Sequence, residues 1–170
     1  MHMHVKPKEI AFLGILLALT CILVYLGTII EPNTLFFLCA ASFCLGIAFR
    51  ECGKRLGIGF FVGCTLLTFL LIPNKIYCIT LAAIDLYIVG AECLKGFFPK
   101  AFLYIKFILF NILYVPALVF MPQLIYKGKV EGFVVLGIWA AGQVMFAIYD
   151  YAYRFIVYGF WPEFRKKINM

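Results

Sequence analysis

The sequence predicts an all-α, polytopic membrane bundle of six transmembrane helices with both termini in the cytoplasm. Three observations predict it. Apolar runs of bilayer length recur along the whole chain. Of the 170 residues, 65% are hydrophobic and 14% are charged, with a mean hydropathy of +1.04, whereas an ordinary soluble domain is about 45–50% apolar and about 25% charged. Lysine and arginine then fall almost entirely in alternate loops. A soluble fold of this size leaves roughly a third of the surface of its unfolded chain in water, which this composition does not tolerate. Lipid covers it instead.

A spanning helix needs about 20 mostly apolar residues. The first segment, residues 9–30, is entered through Pro7-Lys8-Glu9 and broken by Glu31-Pro32-Asn33. It has spanning length and no A-x-A cleavage site, so it reads as a span rather than a signal peptide. The second, 34–49, ends at Arg50-Glu51-Cys52-Gly53-Lys54-Arg55. The third, 56–72, is stopped by Pro73-Asn74-Lys75. The fourth, 76–94, is followed by Lys95-Gly96-Phe97-Phe98-Pro99-Lys100. The fifth occupies 101–121. The sixth, 130–158, begins after Lys127-Gly128-Lys129 and exceeds what the bilayer requires, so it should tilt or protrude. The tail carries Arg165-Lys166-Lys167.

The second and third segments are short, and one helical hairpin that does not fully cross is the alternative to two spans. The strongly charged loop between them favours two. Connections are short throughout, so sequential helices should pack antiparallel. Residues 1–170 read as a single transmembrane domain without a clear internal repeat.

Charge sets the orientation. One set of loops and ends holds Lys6, Lys8, Arg50, Lys54, Arg55, Lys95, Lys100, Arg154, Arg165, Lys166 and Lys167; the opposite set holds Lys75, Lys127 and Lys129. Positive residues favour the cytoplasm. The split works only with an even number of spans, and it puts both ends inside. The same placement explains the net charge of +7 without nucleic acid, because the basic residues sit between apolar runs instead of along one face. The partner implied is the lipid bilayer, and the location is a cell membrane, multi-pass, of the bacterial plasma-membrane type.

Seven cysteines, Cys21, Cys39, Cys44, Cys52, Cys64, Cys78 and Cys93, show no C-x-x-C spacing, and most sit inside apolar runs. A zinc site needs clustered ligands, and the histidines, His2 and His4, stand at the N-terminus. The cysteines read as small hydrophobes, and no metal is expected. No H-E-x-x-H, G-x-S-x-G or Walker lysine is present. No enzyme activity or cofactor is therefore expected, and an ATP-driven role would need another protein.

Polar side chains in hydrocarbon are costly and mark candidate sites. At about 1.5 Å per residue, Asp85 and Asn111 each lie about 15 Å deep and Gln143 about 18 Å. This is near the midplane of a core about 30 Å thick. Thr20, Ser42 and Thr68 share the layer. Such a layer either binds a small polar solute or holds helices together by hydrogen bonds. A carboxylate at this depth, Asp85, requires a cation, a proton or a polar ligand. Glu92, seven residues on, shares its face, and an ion pair with Lys106 is the favoured reading there. Asp150 and Arg154 have the i,i+4 spacing of a local pair. At the outer mouth stand Glu31, Asn33, Asn74, Lys75, Tyr77, Tyr114, Gln123 and Tyr126. Ala11, Gly14 and Ala18 make a strip of small residues that permits close helix approach.

Six short-looped helices with both ends inside, opening on Lys8-Glu9-Ile10-Ala11-Phe12-Leu13-Gly14-Ile15-Leu16-Leu17-Ala18-Leu19, resemble the substrate-binding S components of energy-coupling-factor (ECF) vitamin transporters. The resemblance implies a subunit that captures a vitamin-like nutrient at the outer face for uptake driven by separate ATPases. It implies that Ala11, Gly14 and Ala18 contact a transmembrane coupling subunit. It directs the substrate to the region of Asn74, Tyr77, Asp85, Asn111 and Tyr114, with Gln143 joining through the polar layer. Three other readings compete: an accessory or assembly protein held by helix packing, a lipid-acting enzyme, and a small ion-coupled carrier. Satisfied polar groups favour the first, polar groups gathered at one interface the second, and Asp85 with Glu92 on one face the third.

Overall fold

The structure, a computed structural model, describes residues 7–30, 33–95, 102–120 and 132–168. Every regular element among them is helical. The breaker residues Glu31 and Pro32, the 96–101 connection, and the outer-loop residues Gln123, Tyr126, Lys127 and Lys129 lie outside the described residues, as do Lys6, His2 and His4.

Helix α1 spans Pro7–Ile29. Proline is preformed for the first helical position, and Glu9 in the first turn complements the positive end of the helix dipole. Helix α2 follows as Thr34–Leu71. The two meet closely at Gly27. The Thr34 hydroxyl donates to the Gly27 carbonyl at 2.8 Å, and a Cβ on Gly27 would lie 3.2 Å from Phe37 Cβ.

Helix α2 is broken at Gly53, whose φ of +80° and ψ of 174° are not helical. The segments 34–52 and 54–71 are therefore two arms. A straight helix would hold Cys44 and Cys64 about 30 Å apart, yet the two are within electrostatic range of each other and of Asp85. The arms must fold back on one another, with the Phe49 ring against Gly57. The second arm stops because Ile72 precedes Pro73 and is extended, at φ −92° and ψ 123°, as residues before proline prefer. Lys75 closes that end by donating to the carbonyls of Phe69 and Ile72.

Helix α3 spans Lys75–Leu94. It starts where the Asn74 side-chain oxygen accepts the Ile76 N–H at 3.1 Å. Its buried stripe, Cys78, Leu81, Asp85 and Ile88, has the spacing of one helix face.

The chain's contacts separate into two units, Met1–Cys93 and Leu94–Met170. In the second, α4 spans Phe102–Phe120 with Pro116 inside it, and α5 spans Gly132–Arg154. Helix α5 continues without a break through a π-helical turn, Phe155–Phe160, into α6, Trp161–Ile168. The Trp161 N–H bonds the Ile156 carbonyl, five residues back, so one helix runs on past Tyr158 into the basic tail. Helices α4 and α5 pair through rings: Phe110 stacks on Phe146 at 4.3 Å, with Phe107 edge-on to Phe146 and Tyr114 stacked on Phe110.

The outer surfaces are apolar. Ile15 is 68% exposed on α1, Leu70 79% on α2 and Leu136 64% on α5, whereas Thr20, Ser42, Thr68 and Asp85 are at most 1% exposed. A protein whose outside is this apolar is facing lipid. Helices Pro7–Ile29, Thr34–Leu71 and Lys75–Leu94 and the stretch Val134–Lys167 are long and apolar enough to cross a membrane. The chain is a multi-pass, all-helical membrane protein.

Candidate functional site

The first unit builds its polar site from helix geometry. Asp85 stands ten residues after the start of α3, on the stripe that faces inward. Its side chain is enclosed, with the residue 1% exposed. Oδ2 lies 4.0 Å from Cys64 Sγ, the outer limit for a thiol hydrogen bond. Oδ1 has no hydrogen-bond partner among the described residues. Buried polar atoms are almost always paired, and an isolated carboxylate is the costliest group to leave alone in a low-dielectric interior.

The surroundings of Asp85 come from three helices. Cys64 and Thr68 are one turn apart on the second arm of α2, Cys44 is on its first arm, and Cys21 is on α1. Cys44 and Cys64 lie within electrostatic range of Asp85, and Cys21 within that of Cys64. The hydroxyls here face their own backbone. Thr20 donates to Leu16 O, Ser42 to Cys39 O and Thr68 to Cys64 O, at 2.9, 2.7 and 2.7 Å. The Cys78 thiol donates to Thr68 O at 3.3 Å, and the Cys44 thiol is in hydrogen-bond contact with the Thr20 hydroxyl. The protons of these buried hydroxyls are thus committed to backbone carbonyls, while one oxygen of Asp85 has no donor among the described residues. No group of three or more His, Cys, Asp or Glu side chains among the described residues is placed to hold a metal ion, and none of the seven cysteines forms a disulfide.

The second unit holds a different kind of polar cluster, in which groups satisfy one another. Asn111 and Gln143 form a reciprocal amide pair: Gln143 Nε2 donates to Asn111 Oδ1 at 2.9 Å, and Asn111 Nδ2 returns a bond to Gln143 Oε1 at 3.3 Å. Asn111 Nδ2 also donates to Phe107 O, and Trp139 Nε1 donates to Asn111 Oδ1. The Tyr114 hydroxyl donates to Ile138 O at 2.9 Å. Toward the other end of the helix pair, Lys106 and Asp150 form a buried ion pair at 2.5 Å, each side chain 5% exposed, and Arg154 Nε reaches the second Asp150 oxygen at 3.2 Å. A shallow open groove along α4 is lined by Phe107, Ile108, Asn111, Ile112, Val115 and Pro116.

The residues singled out from the sequence are thus distributed. Asn74, Tyr77 and Asp85 lie in the first unit, and Asn111, Tyr114 and Gln143 in the second. Asp85 is buried, whereas Asn74 is exposed at the start of α3 and Tyr77 is half-buried. Ala11, Gly14 and Ala18 lie on the exposed face of α1, with open space around Gly14. The i,i+4 pair of Asp150 and Arg154 is present. Lys106, read from the sequence as a partner for Glu92, binds Asp150.

Sequence reasoning passed over Cys64, Trp139 and the aromatic seam. The seam had a signal, because Phe107, Phe110 and Tyr114 recur at i, i+3 and i+7 and face Trp139, Gln143 and Phe146 at the same period. The Cys64–Asp85 approach had none, since nothing in a pair of apolar runs states which cysteine meets which carboxyl.

Comparison with protein families, with curated proteins and with solved structures finds no match to this chain.

Proposed function

We propose that the chain is a membrane-embedded solute-binding subunit, which captures a small molecule at the outer face for uptake driven by a separate ATPase module. The observation that carries this reading is the unpartnered Oδ1 of Asp85 in the interior of the first unit. A protein held by packing alone would satisfy that oxygen, as it satisfies Asn111, Gln143 and Tyr114 in the second unit. A carboxylate at mid-depth with an unmet acceptor is the ordinary mark of a substrate or ion site in a membrane protein.

The resemblance to ECF S components gives the reading its form. The reading takes the two arms of α2 as separate spans and α4 as a further one, six in all, with both termini in the cytoplasm by the lysine and arginine split. Each arm, 34–52 and 54–71, is about 27–29 Å long, close to the hydrocarbon thickness of about 30 Å. The exposed small-residue strip Ala11, Gly14 and Ala18 is the surface for a transmembrane coupling subunit. Asp85 anchors the solute, with Asn74 and Tyr77 nearer the outer end of the same helix.

Native mass spectrometry of gently purified protein tests the reading. A retained small molecule, and co-purification with a coupling subunit and two ATPases, are expected. A chain that carries neither, and whose host cells take up nutrients equally well with Asp85→Asn, would sink it in favour of an accessory role.

A further inference from the structure

We infer that the solute bound at Asp85 carries a positively charged, hydrogen-bond-donating group of the primary-ammonium class. This rests on the reading of the chain as a solute-binding subunit and names the chemistry that the site selects.

The argument is one of donors and acceptors. An ionised carboxylate only accepts hydrogen bonds. The Cys64 thiol approaches Oδ2 of Asp85 at 4.0 Å, and Oδ1 has no donor among the described residues. The buried hydroxyls of Thr20, Ser42 and Thr68 and the thiol of Cys78 direct their protons to backbone carbonyls. Their protons are therefore already committed. A ligand that only accepts, such as a carboxylate or phosphate, leaves Oδ1 of Asp85 without a donor.

The protein supplies no internal cation to the site either. The described lysines and arginines of the first unit, Lys8, Arg50, Lys54, Arg55 and Lys75, are all exposed. Lys54 donates to the Cys93 carbonyl at 3.0 Å, and Lys75 closes the end of α2. Among the described residues, the ionisable side chains shown within electrostatic range of Asp85 are the thiols of Cys44 and Cys64. The oxygen of Asp85 that closes on nothing must take a proton or a donor from outside the described side chains, and a protonated amine brings both. No set of three His, Cys, Asp or Glu side chains among the described residues converges there, which disfavours a metal ion needing several fixed ligands. An ammonium, with three directional donors, matches two carboxylate oxygens and a neighbouring lone pair.

The test uses the full chain in lipid nanodiscs, read by thermal unfolding against three probes: methylammonium chloride, sodium chloride at the same ionic strength, and acetamide. A saturable rise in midpoint with methylammonium, absent with sodium and acetamide, is expected. Asp85→Asn should weaken the half-saturation about tenfold to a hundredfold, while Ile148→Val, at an exposed position of the second unit, should leave it unchanged. No saturable shift, an equal shift with sodium, or a shift that survives Asp85→Asn overturns the inference. The wild-type comparison of probes stands even if Asp85→Asn does not fold. In that case Asp85→Glu, which keeps the carboxylate, should retain the response, and its loss there also overturns the inference. The outcomes separate from those of the functional reading: a purified complex with ATPases that holds an anionic or neutral ligand removes this inference alone. Methylammonium binding by a chain that never co-purifies with a partner removes the uptake role alone.

Discussion

The Tyr114 ring lies so close over Gly142 that a Cβ on Gly142 would fall 2.5 Å from the phenol oxygen. The ring cannot retreat easily, because its hydroxyl is tied to the Ile138 carbonyl and its face is stacked on Phe110. Gly142→Ala should therefore weaken the α4–α5 pairing by about 1–3 kcal/mol, the usual cost of overpacking. Gly137, on the same helix with nothing within 4 Å of its Cβ position, is the control. Gly137→Ala should be neutral or slightly stabilising, since alanine is favoured over glycine in a helix. Unfolding of both variants in mixed micelles checks the difference.

Gly53 turns α2 back on itself at a φ of +80°, which a Cβ disfavours. Gly53→Ala should cost about 1–3 kcal/mol, and Gly53→Asn as much, because a ψ of 174° lies outside the left-handed α region that asparagine tolerates. Gly59→Ala, at an open helical position of the same element, should not destabilise. Equal loss in Gly53→Ala and Gly59→Ala, measured by chemical unfolding, would remove the special role of the turn.

Lys106 and Asp150 are both almost fully enclosed. Removing one partner of such a pair strands a buried charge, at a cost of about 3 kcal/mol or more. Lys106→Met alone should be severely destabilised. Lys106→Met with Asp150→Leu should be appreciably less so, because no buried carboxylate is left with the half-exposed Arg154 as its counter-charge. A double-mutant cycle with strictly additive losses would contradict the pairing.

The reciprocal amides of Asn111 and Gln143 should behave as mutual partners. Each single change to alanine should cost about 1 kcal/mol, as measured for polar pairs between membrane helices, and the double change less than the sum. Ligand binding, read by retained mass, should be the same in all three variants. A loss of ligand with stability intact would move the site from Asp85 toward the second unit.

The orientation is open to a direct measurement. A fluorescent protein that matures only in the cytoplasm, fused after the C-terminus, should be bright, and so should an N-terminal fusion. One bright and one dark fusion would overturn the even number of spans, and two dark fusions would overturn the cytoplasmic placement of the ends.

Much of this molecule is written in its composition. The need for lipid, the all-helical class, the turn at the Arg50–Arg55 loop and the break at Pro73 follow from the chain alone, because run length, proline and glycine act locally. So does the expected depth of Asp85, since rise per residue converts position into distance. The sequence likewise put Asn111 and Gln143 in one polar layer with Asp85. Only the tertiary structure decided that the two amides close on each other, while one oxygen of Asp85 closes on nothing. It also decided that Lys106 meets Asp150 and that Phe107, Phe110 and Tyr114 form a seam with Phe146 and the backbone beside Gly142. The physical reason is that lipid rewards any apolar face alike, so hydropathy specifies which segments are helices. Which face of a helix meets which neighbour is set by shape and by the pairing of a few polar atoms, and those become neighbours only on folding.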